Sequence, residues 1–202
     1  MRSFLIALAA LVLLVGAAPP GAAECTCDAA METGGWCHAH EVGYVGSVPV
    51  KSKWLFDALD AHGHDVDLST FQCSSCQEAI ESDGFCELHR VGFVAGQAYF
   101  SKLTHHLARG EHREVSEIAC PVCRKNAEAH GWCDEHQVGM IGPVEIKDRQ
   151  EFEELLKAIH ILHIANEASE RCEHCAVAII TDTRCPFCKI SYKDGKEVPD
   201  TP

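Results

Sequence analysis

Basic residues are scarce in this chain: 17 Lys and Arg stand against 30 Asp and Glu, a formal charge of −13 at pH 7. That balance excludes nucleic acid as a partner, because phosphate binding is driven by clustered Lys and Arg. A second long apolar run is missing as well. Beyond residues 4–15 no stretch reaches the roughly 20 apolar residues that span a bilayer. Long periodic apolar blocks are also absent, the apolar residues falling in short clusters, so a single large core is not expected. No Cys-x2-Cys is followed directly by His, since Gln77, Arg124, Ala176 and Lys189 stand there, and this excludes a c-type haem attachment site. Glu24, not a small residue, precedes Cys25, which argues against a lipoprotein.

What the chain does contain begins with Met1-Arg2-Ser3, the apolar run Phe4 to Val15 and the small residues that end at Ala23. This is the pattern of a secretory signal peptide over residues 1–23, cut after Ala23, and it predicts a periplasmic or secreted product with no membrane span after cleavage. An uncleaved anchor is the alternative, weakened by the shortness of the run.

Thirteen Cys and thirteen His in 202 residues need explaining by their spacing. Cys73-x2-Cys76, nine residues, then Cys86-x2-His89 recurs as Cys120-x2-Cys123, nine residues, Cys133-x2-His136. It returns as Cys172-x2-Cys175, nine residues, Cys185-x2-Cys188. At the front, Cys27, nine residues, Cys37-x2-His40 matches the last three positions, while Cys25 sits one residue late and Glu24 holds the register. The match continues outside these positions. Gly-aromatic precedes the third one in Gly35-Trp36, Gly84-Phe85 and Gly131-Trp132, and Val42-Gly43-Tyr44-Val45, Val91-Gly92-Phe93-Val94 and Val138-Gly139-Met140-Ile141 follow the fourth. Self-similarity of this kind marks a repeat architecture. The expected fold is a set of small α+β metal-stabilised repeats, four tandem knuckle- or ribbon-like units over 24–68, 69–115, 116–168 and 169–202, linked by short strands and helices.

Within a unit, the inserts at 77–85 and 124–132 are rich in Ala and Glu and end in glycine, which predicts a helical turn stopped by a left-handed glycine. The β-branched Ala176 to Thr181 predicts extended chain in the fourth unit. The Val-Gly-aromatic-Val stretches alternate like strands. Helices follow over Ser52 to Ala61, with Trp54, Leu55, Ala58 and Leu59 on one stripe, and over Ser101 to Ala108, with Leu103 and Leu107. A longer third helix is capped by Asp148 with Glu151 three residues on.

Paired Cys-x2-Cys and Cys-x2-His turns present soft donors for a tetrahedron, the geometry Zn²⁺ takes with thiolate and imidazole. Candidate ligands are Cys25, Cys27, Cys37 and His40; Cys73, Cys76, Cys86 and His89; Cys120, Cys123, Cys133 and His136; and Cys172, Cys175, Cys185 and Cys188. In the first set Cys25 through a distorted turn, Glu24 or the new amino terminus could supply the remaining donor. Up to four Zn²⁺ ions are expected, with cadmium, iron or cuprous copper as other thiophilic occupants. Filled four-donor sets leave no open position for water, so the pattern builds no hydrolytic zinc and no enzyme is expected. Trp36, Phe85 and Trp132 are read as plugs over the sites. His62, His64, His105, His106, His160 and His163 are read as solvated helix-face or last-turn residues, with a supplementary metal patch as the alternative.

Cys120-Pro121-Val122-Cys123 and Cys185-Pro186-Phe187-Cys188 resemble the knuckles of the bacterial heavy-metal-binding domain and of short zinc ribbons. The resemblance covers the ligand stretch of each unit and none of the helices between, and it departs from the family where three units end in His40, His89 and His136. It implies metal binding, not transport or resistance. Metal ions, with a possible protein partner, are therefore the expected partners, in a metal-stapled scaffold or in metal buffering and delivery. The alternatives for so many cysteines in an exported chain are a disulfide framework or a thiol-redox protein. An odd cysteine count and the recurring His at the fourth position weigh against the first.

Overall fold

In the computed structural model, residues 26–199 are described; the expected leader, Glu24 and Cys25 lie outside them. The described chain is a small mixed α+β structure in which short antiparallel sheets surround one long helix. It begins with α1 (Cys27–Thr33), the strands β1 (Trp36–Cys37), β2 (Val42–Val45) and β3 (Val48–Val50), and α2 (Lys53–Leu59). There follow β4 (His64–Asp65), α3 (Ser74–Glu81), β5 (Phe85–Cys86), β6 (Val91–Val94), β7 (Gln97–Tyr99) and α4 (Lys102–Arg109). Next come β8 (Glu111–His112), α5 (Pro121–Ala129), β9 (Gly131–Cys133), β10 (Val138–Ile141), β11 (Val144–Ile146) and α6 (Arg149–Ser169). The described chain closes with α7 (Glu173–Thr181), β12 (Ser191–Lys193) and β13 (Lys196–Val198). The sheets run β1-β2-β3, β4-β7-β6-β5, β8-β11-β10-β9 and β12-β13. β4, in the stretch assigned by sequence to the first unit, thus pairs into the sheet that holds Cys86.

Local chemistry fixes these elements at matching offsets. Two-residue turns join β2 to β3, β6 to β7 and β12 to β13, with positive φ at Gly46 and Ser47, Ala95 and Gly96, and Asp194 and Gly195. Two consecutive positive φ values match the right-handed twist of the flanking strands. The residue three before the third cysteine is left-handed each time: Gly34, Asp83, His130 and Asp182. The left-handed stop after α3 and α5 therefore falls one residue before the expected glycines. Gly84 and Gly131 are crowded instead, since a Cβ on Gly84 would lie 3.3 Å from the Ala79 Cα and one on Gly131 2.5 Å from the Asn126 carboxamide oxygen.

The strand alternation explains how a sheet serves two sides. Val91 and Phe93 face Cys76 and Cys86, and Met140 faces Cys123 and Cys133. The intervening glycines Gly43, Gly92 and Gly139 face the next helix, where a Cβ would collide with Phe56, His105 and Phe152 respectively. Trp36, Phe85 and Trp132 lean on those same three rings at centroid distances of 5.3, 5.5 and 5.5 Å. The apolar cover behind the cysteines in the second and third sets is thus Phe93 and Met140, while the tryptophans and Phe85 clamp the helices.

Four further expectations are corrected. Ala176 to Thr181 lies in the helix α7, because Ala176, Ala178 and Ile179 bury against the central core and tertiary packing outweighs β propensity. Trp54 is 49% exposed and sits edge-on to His174, leaving Leu55 and Leu59 as the buried residues of α2. A sizeable common core does exist. Val45, Val50, Leu55 and Leu59 share one cluster with Ile141, Ile146, Phe152, Leu155, Ile159 and Leu162, and with Cys175, Ile179 and Tyr192. The helix that organises it, α6, is capped as expected by Asp148, whose carboxylate accepts the Glu151 amide at 2.7 Å. α4 is tied to it by His106 Nδ1 and Arg109, 2.7 and 3.1 Å from one Glu151 oxygen.

His105 and His106 are not solvated but buried. His105 occupies the place that Phe56 and Phe152 fill in the neighbouring modules; its Nε2 donates to the Asp83 carbonyl at 3.0 Å and its Nδ1 has no partner. Burial, with lesser contributions from His106 and Arg109, pushes its pKa below the ordinary 6.5. The folded state therefore holds this imidazole neutral, and protonation favours the unfolded chain. Stability contributed by the neutral ring is present above about 6.5 and is lost as pH falls toward the depressed folded value. His105→Phe should remove that slope and raise stability near pH 6 by about 1 kcal/mol, the low end of the penalty for an unpartnered buried polar atom. Denaturant midpoints of both proteins between pH 5 and pH 8 check this, and parallel curves would refute it.

Candidate metal centres

Each candidate centre begins at a helix start, joined in the Cys27, Cys73 and Cys120 sets by a strand end. Cys73, Cys120 and Cys172 are the N-cap residues of α3, α5 and α7, and Cys76, Cys123 and Cys175 stand in the first turns. Pro121 at the first helical position of α5 fits a site where no backbone N–H is needed. Cys37, Cys86 and Cys133 end β1, β5 and β9. The chain then turns so that the fourth donor faces back, and the residue after it, Glu41, Arg90, Gln137 or Lys189, is left-handed.

Four sets converge: Cys73, Cys76, Cys86 and His89; Cys120, Cys123, Cys133 and His136; Cys172, Cys175, Cys185 and Cys188; and Cys27, Cys37 and His40. Within each set the donor atoms lie within 4.8 Å of one another. His40 Nδ1 is 3.1 and 3.6 Å from the sulfurs of Cys27 and Cys37. His89 Nδ1 is 3.3 and 3.6 Å from those of Cys76 and Cys86, and His136 Nδ1 is 3.6 and 3.5 Å from those of Cys123 and Cys133. Cys172 and Cys185 hold their sulfurs 3.9 Å apart. A tetrahedron with metal–sulfur bonds of about 2.3 Å and metal–nitrogen bonds of about 2.0 Å has edges of about 3.5 to 3.8 Å. The donor sets fit a metal of zinc's size. They do not fit cystines, whose sulfurs sit about 2.05 Å apart, and no disulfide joins two cysteines of the described residues.

No protein-family model, curated protein or solved structure matches this chain. The reading of these centres rests on their own chemistry.

That chemistry is a graded set of thiols. A hydrogen bond at the Thr26 backbone, joined by Cys27 and His40, draws Cys37 down to about 5 against the effect of burial. The backbone and side chain of His136 draw Cys133 to about 7. Burial works against Cys185, yet backbone N–H groups of Cys188 and Phe187 bring it to about 7, the Cys188 amide lying 3.3 Å from its sulfur. The Cys76 backbone draws Cys73 down as well, while Cys76, Cys123 and Cys175, one in each four-donor set, are pushed up to about 12 by burial and neighbouring sulfur. One thiolate forms readily in each four-donor centre while a second costs free energy unless a cation compensates it, and a divalent ion would supply that compensation. In the four-donor sets the second and third donors are buried and the fourth, His89, His136 or Cys188, is exposed, as is His40.

The Cys-x2-Cys pairs do open helices, a feature shared with thiol-exchange sites. All named strand pairs among the described residues are antiparallel, however, so no βαβ unit surrounds them. Glu24 and Cys25, the expected sources of a fourth donor in the first set, lie outside the described residues. Sequence reasoning passed over His130 and His174. His130 is the left-handed stop of α5 and its Nδ1 accepts from the Gly142 amide, while His174 meets Trp54 edge-on and Phe187 at a tilt, at centroid distances of 4.4 and 4.1 Å. Among the described residues no helix is long and apolar enough to cross a membrane.

Proposed function

We propose that this chain is an exported, non-catalytic repeat protein that binds up to four Zn²⁺-class ions and uses them as staples of an interaction scaffold. The observation that carries the reading is the convergence of the Cys/His sets at tetrahedral edge lengths. Closed four-donor sites leave no place for an activated water, which favours a structural over a hydrolytic role. The leader-like first 23 residues support export. A second reading, metal buffering or delivery, is favoured by the exposed fourth donor of each set, which gives a competing chelator an approach. The resemblance of the Cys-Pro-x-Cys knuckles to heavy-metal-binding domains leans the same way.

Native mass spectrometry of the protein expressed with its leader tests both. The expected result is a mature chain beginning at Glu24 with three or four divalent ions and unpaired thiols, losing the ions in acid. A metal-free chain with its cysteines oxidised in pairs would instead establish the disulfide or redox alternative.

A further inference from the structure

Among the described residues, one other group of donors converges outside the thiol-rich centres. Asp60, His62 and His64 bring a carboxylate oxygen and two ring nitrogens within 4.8 Å of one another. We propose that these three residues form a sulfur-free site for a borderline divalent cation of the Co²⁺, Ni²⁺ or Zn²⁺ type, independent of the thiolate centres.

Two of the three donors are held in place by the fold. Asp60 ends α2 in the left-handed region at φ 50° and ψ 62°, with its amide bonded to the Asp57 carbonyl, which turns its carboxylate toward the following strand. His64 is in β4, paired with Ala98 of β7, and its ring packs against Phe100 at 5.3 Å. The Gly63 between them passes so close to β7 that a Cβ would lie 2.8 Å from the Tyr99 hydroxyl, which fixes the path of the turn. His64 Nε2 then stands 2.8 and 2.9 Å from the two Asp60 oxygens. Cis donors at about 2.0 to 2.1 Å from a common octahedral ion also stand about 2.9 Å apart, so this hydrogen-bonded imidazole–carboxylate pair is spaced to take a cation in place of its shared proton. His62 completes the group from solvent, its Nδ1 3.7 Å from the Asp60 oxygen and its ring 4.5 Å from that of His64.

The donor types select the ion. Two imidazoles and one carboxylate suit borderline divalent metals, whereas Ca²⁺ and Mg²⁺ want oxygen and Cu⁺ wants sulfur. Three donors on one side leave the remaining positions open to water, so the site should be weaker and faster to exchange than the thiolate centres.

The test is a Co²⁺ titration of the full chain already loaded with Zn²⁺, followed by histidine ring resonances and visible absorption. Paramagnetic broadening should reach His62 and His64 first, without the sulfur-to-cobalt charge-transfer band that entry into a thiolate centre would give. His62→Ala, at a 76% exposed side chain, and His64→Gln should each weaken that Co²⁺ binding at least about tenfold, since losing even a ligand's own hydrogen-bond partner costs about 10- to 100-fold. Broadening centred on other histidines, a charge-transfer band without broadening at His62 and His64, or unchanged affinity in both variants would overturn the proposal. Because the readout is specific to these two rings, it stands whether or not the thiolate centres carry zinc.

Discussion

A strong chelator, applied to the reduced chain, should release the sheets around Cys76 and Cys123 while α6 and α7 stay folded. The expectation follows from what would remain in each place. Of the six buried side chains in the cluster that contains Phe93, two, Cys76 and Cys86, are candidate ligands, and in the cluster that contains Met140 two of four are. Removing the ion leaves reprotonated thiols, no longer drawn together by a cation, over a patch of Ala and Val. A structural zinc contributes roughly 10 to 16 kcal/mol of apparent binding energy, as much as the whole stability of an ordinary domain. Around α6 the opposite holds. Leu155, Ile159 and Leu162 are almost fully buried among side chains from α2, β3, β11 and α7, and no ion is needed to keep them from water. Amide hydrogen exchange before and after chelation reads the outcome. Residues 73–99 and 120–141 should lose protection by orders of magnitude, and 152–168 should lose little. Uniform loss would mean one cooperative unit governed by metal, and no loss anywhere would remove the staples from the account.

This division also marks what the sequence could disclose. Ligand spacing is local, so the nine-residue gap and the paired turns were readable, and so were the strand over Val91 to Val94 and the Asp148 cap. The side of the sheet on which each aromatic lies was not. It depends on Gly43, Gly92 and Gly139 opening room for a ring from a helix thirteen residues downstream, a contact that only the folded sheet creates. The common core was hidden for a related reason. Val50, Leu55, Leu103 and Ile179 each sit in a stripe too short to signal a core, and only their convergence on α6 joins them. α7 was misjudged because Ile179 and Ile180 weigh toward strand by propensity, whereas their helical register places Cys175 and Ile179 together on the buried side. His105 escaped notice because a polar residue in a slot shaped for phenylalanine carries no local mark.

If α6 binds the modules together, Leu155→Ala should destabilise them as a group. Leu155 is fully buried, and truncation of such a leucine costs about 2 to 5 kcal/mol through lost transfer energy and a residual cavity. Leu156→Ala, one residue on and 37% exposed, removes the same atoms from a site that water already reaches, so its cost should be about 0.5 to 1 kcal/mol. Trp36 and Trp132 provide reporters at two distant places, since each leans on a phenylalanine, Phe56 or Phe152, that belongs to or packs against the core around Leu155. In single-tryptophan versions of the zinc-loaded protein, both fluorescence transitions should move together to lower denaturant in Leu155→Ala and barely move in Leu156→Ala. A shift at Trp132 alone would mean that the first module folds without reference to α6. Metal content should stay constant throughout, because none of the donor sets includes a residue of α6. The same substitution therefore separates the two sources of order: coordination shapes each small sheet, and burial on α6 sets how the sheets are held relative to one another.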